Sequence, residues 1–118
     1  MASDTVDKEL LKGTIPLMVL SLIGKRDLYG YQIIKQLRVL SGETFVFKEG
    51  TLYPILHSIE KRQFITGYWQ ESSIGRKRKY YRISDEGKRE LEVRQTAWKK
   101  FISAVTLVMD GEVTGDEN

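Results

Sequence analysis

Ile65-Thr66-Gly67-Tyr68-Trp69-Gln70-Glu71-Ser72-Ser73-Ile74-Gly75-Arg76-Lys77-Arg78-Lys79-Tyr80-Tyr81-Arg82-Ile83 breaks the rhythm of the residues that precede it. Upstream of Phe64, apolar residues recur at three- and four-residue steps. Past it the period drops to two and the composition turns β-branched and aromatic. Residues 65–70 and 79–83 therefore read as the two strands of a hairpin. Residues 72–78 form the bend, where Gly75 can take a positive φ and three cations, Arg76, Lys77 and Arg78, project from the tip. Such a loop repels itself unless an anion receives it.

Moving toward the N-terminus, Leu52, Ile55, Leu56 and Ile59 mark a helix running from about Glu49 to near Gln63. Pro54 lies deep in it, so either Thr51 caps a later start or the first turn is irregular. Phe45 and Phe47 alternate with their neighbours as a short extended link or strand. Ile33, Ile34, Leu37 and Leu40 define a second helix closed by Ser41-Gly42. Leu10, Leu11, Ile15, Met18, Val19, Leu22 and Ile23 define a first helix closed by Gly24. Toward the C-terminus, Ser84 is an N-cap, with Asp85 and Glu86 suited to the positive end of a helix dipole. The helix it opens is the longest and extends to about Met109. Leu91, Trp98, Phe101, Ile102, Val105, Val108 and Met109 share one side of it, a longer stripe than so small a domain needs internally, which makes it a candidate dimerisation seam. Residues 110–118 carry four acids, no base and two glycines, the composition of a disordered tail.

Three helices followed by a basic hairpin is the element order of a winged helix-turn-helix, a mainly α fold with a small β-hairpin (α+β). The expected division is a DNA-binding domain over 1–84, a dimerisation helix over 85–109 and an acidic tail over 110–118. Composition agrees with one core: 118 residues are 41% hydrophobic. With no cysteine and one histidine, neither a disulfide framework nor the usual metal clusters can be built, and no cofactor is expected. The longest apolar run, residues 15–23, is about half the roughly 20 residues that span a bilayer. The acidic N-terminus does not resemble a secretion signal, so a cytoplasmic location without membrane contact is expected. Acidic residues such as Glu9, Glu49, Glu60 and Glu86 are scattered over unrelated elements, and no glycine-rich phosphate loop follows a strand. No catalytic residue is assigned.

The net charge is only +3, but residues 61–82 hold seven bases against one acid, a local +6 that leaves the remainder at −3. That asymmetry suits docking onto phosphates, although a solvated basic loop without a partner would carry the same charge. With Leu52, Ile55, Leu56 and Ile59 turned inward, the third helix presents Thr51, Tyr53, His57, Ser58 and Lys61 to a major groove. Arg76, Lys77, Arg78 and Lys79 of the wing suit phosphate oxygens or a narrow minor groove. His57 reads as a polar surface residue rather than a pH switch, Tyr29 and Tyr31 as packing residues, and Trp69 as packed in or beside the wing. The competing reading is a ligand-sensing or protein-interaction module whose wing binds RNA or an acidic partner.

Three blocks resemble the PadR-like transcriptional regulators, in particular short members with one C-terminal helix. They are Leu28-Tyr29-Gly30-Tyr31-Gln32-Ile33; Glu49-Gly50-Thr51-Leu52-Tyr53-Pro54-Ile55-Leu56 with Ile59-Glu60-Lys61; and Gly75-Arg76-Lys77-Arg78-Lys79-Tyr80-Tyr81-Arg82-Ile83-Ser84 with Gly87. The resemblance implies a homodimer joined through its terminal and N-terminal helices, a pseudo-palindromic double-stranded DNA operator, and a repressor released by a small effector. It also implies an aromatic pore at the dimer interface, as in multidrug-efflux regulators, in which Trp98, with Leu10, Gln95 and Ile102, would hold a planar aromatic compound. Plain dimer packing is the alternative role for Trp98. The chain departs from the pattern at Gln63, where many relatives have glycine, and carries no acid one turn either side of Trp98, which argues against a preference for cations.

Overall fold

The polypeptide winds into helices wherever its apolar residues fall at helical spacing. The computed structural model describes residues 13–115. The elements are α1 (Thr14–Lys25), β1 (Leu28–Tyr29), α2 (Gly30–Leu40), α3 (Glu49–Lys61), β2 (Ile65–Glu71), β3 (Lys77–Ile83) and α4 (Asp85–Asp110). Leu10 and Leu11, expected in the first helix, lie outside the described residues, as do positions 116–118 of the expected tail.

The stripes of α1, α2 and α3 converge on one core, in which Val19, Leu20, Ile23, Ile33, Leu52, Leu56 and Ile59 are almost fully buried. At about 1.5–3 kcal/mol per buried aliphatic side chain, this cluster supplies most of the drive to fold. The sheet covers its open side through Ile65, Tyr81 and Ile83. Leu20, absent from the expected stripe, is wholly buried, whereas Leu40, expected inside, is 63% exposed, and Ile55 is half-buried.

β1 was not expected. It has two residues, pairs antiparallel with β3 (Leu28 with Tyr81, Tyr29 with Tyr80), and makes the hairpin a three-stranded sheet of order β1-β3-β2. Phe45 and Phe47 do not form a strand; their rings stack 6.1 Å apart in the link before α3. Gly24 does not end α1, which continues to Lys25. It is a close-packing position instead: a Cβ there would lie 3.1 Å from Leu91 of α4.

α3 starts at Glu49 with Lys48 at its N-cap and Pro54 inside it, so Thr51 does not cap a later start. Both Thr51 and Leu52 donate their N–H to the Lys48 carbonyl, at 3.0 and 3.1 Å. The far end closes as a Schellman motif: the Phe64 N–H reaches the Ile59 carbonyl at 3.0 Å and the Gln63 N–H reaches that of Glu60 at 2.9 Å. That motif requires a left-handed residue, and Gln63 supplies it at φ 67°. Phe64 and Ile59, the flanking apolar pair, are both buried. The turn is thus the one that glycine would make, built with glutamine.

Ser84 ties α4 to this same turn. Its hydroxyl accepts from the Gly87 N–H at 2.9 Å and donates to the Gln63 carbonyl at 2.6 Å, while its own N–H bonds the Phe64 carbonyl at 3.0 Å. A Cβ on Gly87 would collide with the Phe64 carbonyl, so only glycine lets the helix start so close to β2. The 26 residues of α4 span about 39 Å. Leu91 packs on the core, but farther along the helix the stripe lies bare, with Phe101 60% and Val108 81% exposed.

A candidate nucleic-acid interface on helix α3 and the wing

With Leu52, Leu56 and Ile59 buried, helical geometry turns Thr51, Tyr53, His57, Ser58 and Lys61 to the surface, and all five are exposed. Tyr53 is steered by a glycine of α2: its ring lies over Gly30, where a Cβ would come within 2.6 Å of the phenolic oxygen. Gly30 opens α2, whose N-terminus is closed by Gln32 Oε1 accepting from the Tyr29 N–H at 3.1 Å. Two of the sequence blocks noted above thus meet at the Gly30–Tyr53 contact.

In the wing, β2 and β3 pair from Ile65 with Ile83 out to Glu71 with Lys77. The bend is shorter than expected. It comprises residues 72–76, with Gly75 at φ 81° and the Ser72 N–H bonded to the Arg76 carbonyl at 2.7 Å. Only Arg76 of the three expected tip cations lies in it. Lys77 is the first residue of β3, and Arg78 folds back with its guanidinium 4.7 Å from the centre of the Tyr29 ring. Lys79 is engaged too, 3.2 Å from Glu60 of α3. Arg76 and Lys77 are exposed and form no ion pair among the described residues.

The pleat explains which cations are held. Arg78, Tyr80, Arg82 and Tyr68 share one face of the sheet. There the Tyr68 and Tyr80 rings stack at 5.8 Å, Tyr29 meets Tyr80 edge-on at 5.3 Å, and Arg82 lies 4.9 Å over Tyr68. Asp27, in the link after α1, closes this ladder by accepting from the Tyr68 hydroxyl at 2.6 Å and from Arg82 Nε at 3.1 Å. The bond to Asp27, followed by desolvation and the carboxylate's charge, raises the Tyr68 pKa above its usual 10. Sequence reasoning missed this ladder. Its one sequence signal was Arg78, Tyr80 and Arg82 at every second position of β3.

On the opposite face Lys77, Lys79 and Tyr81 point toward α3. With Tyr53, Trp69, and Tyr29 and Arg78 from the other face, they line a groove of about 410 Å³ between α3 and the wing. Trp69, expected to pack, is 67% exposed, and Tyr31, also expected to pack, is 62% exposed. Tyr29 does pack.

A second concavity, of about 390 Å³, lies between α1, α2 and α4. It is lined by Leu17, Met18, Leu37, Leu40 and Phe45, together with Trp98 and Gln95 from α4. Trp98 is 40% exposed, its ring 6.4 Å from that of Phe101. Ile102 does not line the cleft, and Leu10 lies outside the described residues.

A helical core, a third helix with an exposed polar face and a basic antiparallel hairpin on one side of it together define a winged helix-turn-helix protein. Comparison with known proteins narrows the class. The model of the transcriptional regulator PadR-like family matches residues 19–93, and the chain belongs to that family, whose members are transcriptional regulators rather than enzymes. It is 36% identical to a PadR-like transcriptional regulator from Bacillus cereus, with a TM-score of 0.79 and coverage of 89% of this chain and 100% of that one. A PadR family transcription regulator from Clostridium difficile is 38% identical, with a TM-score of 0.71 and coverage of 84% and 100%. An uncharacterized protein of Lysinibacillus sphaericus is 34% identical over 106 residues, 90% of this chain and 97% of that protein. No helix of the described residues is long and apolar enough to cross a membrane.

Proposed function

We propose that two copies of this chain, joined along α4, bind a pseudo-palindromic DNA operator as a repressor. The observation that carries this reading is the shared orientation of α3 and the wing, whose exposed Tyr53, Trp69 and Lys77 border a single groove. Thr51, Tyr53, His57, Ser58 and Lys61 would then contact base edges and nearby phosphates, while Arg76 and Lys77 neutralise the flanking backbone. Dimerisation is supported by α4. Leu91, Trp98, Phe101, Ile102, Val105 and Val108 fall on one side of it at three- and four-residue steps, and Trp98, Phe101, Ile102 and Val108 are exposed, as a helix with a partner along an a/d seam would leave them. Pairing would also divide the chain into a reading unit ending at Ser84 and a joining helix from Asp85, and would set two reading helices about one DNA turn apart.

A planar aromatic effector fits the apolar cleft beside Trp98 and Gln95, whose volume lies within the usual range for small-molecule sites. Seated against Trp98 at the seam, it would change how the two α4 helices pack and hence the spacing of the reading helices.

The test is a gel shift on the DNA upstream of the protein's own coding region, with and without planar aromatic compounds. A retarded complex that outcompetes random duplex and dissolves on adding a compound is expected. Retention of RNA in preference to duplex would instead make the wing an RNA-binding or acidic-partner surface.

A further inference from the structure

Glu60 sits in the last turn of α3, and its two carboxylate oxygens serve different strands of the wing. Oε2 accepts from the Gly67 N–H of β2 at 3.2 Å, and Oε1 lies 3.2 Å from Lys79 Nζ of β3. Gly67 permits this approach, because a Cβ there would lie 2.8 Å from Glu60 Oε2 and would collide with the Lys79 side chain. Lys79 is further placed by Tyr81, whose ring centre is 5.5 Å from its ammonium. Each side chain of the pair keeps only about a third of its surface, Lys79 at 35% and Glu60 at 30%, so water weakens the attraction less than at an open surface.

We propose that Glu60 is a positioning residue that sets the wing's angle against the reading helix and, by holding Lys79, withholds that cation from DNA phosphates. The inference rests on the duplex-binding reading above and adds to it a limit on the sequence-independent part of the affinity. A free lysine beside the Tyr53–Trp69 groove would attract any phosphate backbone, strengthening binding to every sequence equally. Neutralised by a carboxylate of the reading helix, it adds little to random binding, and the latch leaves discrimination to α3. Arg78 lies over Tyr29 and Arg82 pairs with Asp27, both outside α3; among the described residues Glu60 is the side chain of α3 that hydrogen-bonds the wing.

Glu60→Gln separates the two ties, since the amide oxygen still accepts from Gly67 while the charge that holds Lys79 is gone. Binding of this variant to operator and to random duplex is measured by fluorescence anisotropy across a salt series. Releasing Lys79 is expected to steepen the log–log salt slope by about 0.9 per protomer, so that a fourfold rise in salt costs the variant about 3.5-fold more affinity per protomer than the unmodified protein. Affinity for random duplex and for operator should rise together at low salt. In a Lys79→Met background, Glu60→Gln should leave the slope where Lys79→Met alone puts it. An unchanged slope in Glu60→Gln, or a gain that persists in the Lys79→Met background, would overturn the latch while leaving DNA binding intact. Failure of the unmodified protein to bind any duplex would overturn both. Faster amide exchange at Gly67 in Glu60→Ala, read without DNA, is the expected mark of the second tie, and unchanged exchange would remove the positioning role.

Discussion

Gln63 occupies the turn that joins α3 to the wing, in a backbone conformation that glycine adopts at little cost. At φ 67° an L-residue with a Cβ costs about 1–2 kcal/mol relative to the right-handed region. Gln63→Gly removes that strain, but the more flexible unfolded chain gives back about 0.4–1 kcal/mol. The side chain is exposed, and the turn's bonds, to the Glu60 carbonyl and from the Ser84 hydroxyl, are all made by the Gln63 backbone, so nothing else changes. The net expectation is a gain of about 0.5–1 kcal/mol, or roughly 2–4 °C in Tm for a chain of this size. Gln63→Val supplies the opposite sign, because a branched Cβ tolerates positive φ worst, and should cost about 1 kcal/mol. Urea and thermal unfolding at one fixed protomer concentration measure both, and m should stay constant if only the folded state changes. Destabilisation by glycine, or stabilisation by valine, would refute the assignment of a strained Schellman turn at this position.

Other substitutions probe the remaining contacts. Gly30→Ala places a methyl 2.6 Å from the Tyr53 hydroxyl; because that ring is partly exposed and can swing away, Tm should move little while operator affinity falls by about 1–3 kcal/mol. Unchanged affinity in an anisotropy titration would take Tyr53 out of the interface. Phe101→Asp combined with Val105→Asp would bury charges against their symmetry mates and should yield monomers in sedimentation; a species that stays dimeric would exclude that seam. Since the Tyr68 pKa is raised in the folded chain, its contribution to stability is complete below pH 10 and is lost as pH rises through the higher folded value. Asp27→Ala should therefore bring one late-titrating phenol back toward the ordinary range in a near-ultraviolet titration, and an identical titration curve would deny the Asp27–Tyr68 bond.

The helices and the hairpin were legible because each announces itself through periodicity, and so was the polar face of α3, which follows once Leu52, Leu56 and Ile59 are turned inward. β1 was not, since two residues carry no period and Leu28-Tyr29 becomes a strand only because β3 offers an edge. That hidden strand also explains the misplacement of Arg78: the residue reads as a tip cation in sequence, and only the position of Tyr29 draws it back. Lys79 and Glu60 lie 19 residues apart, and their ion pair depends on the angle between wing and helix, which local pattern does not encode. Gly24 shows the same limit, because a helix stop and a close-packing glycine look alike until Leu91 is set beside it.

The claim on which the rest depends is that Arg76 and Lys77 meet phosphates while α3 reads the groove between them. Its most direct test is the salt dependence of duplex binding by the unmodified protein and by the Arg76→Ala, Lys77→Ala double variant. A dimer that loses four phosphate contacts should show a log–log slope shallower by about 3.6, with weaker binding to operator and random DNA alike. Equal slopes and affinities for the two proteins would contradict the account.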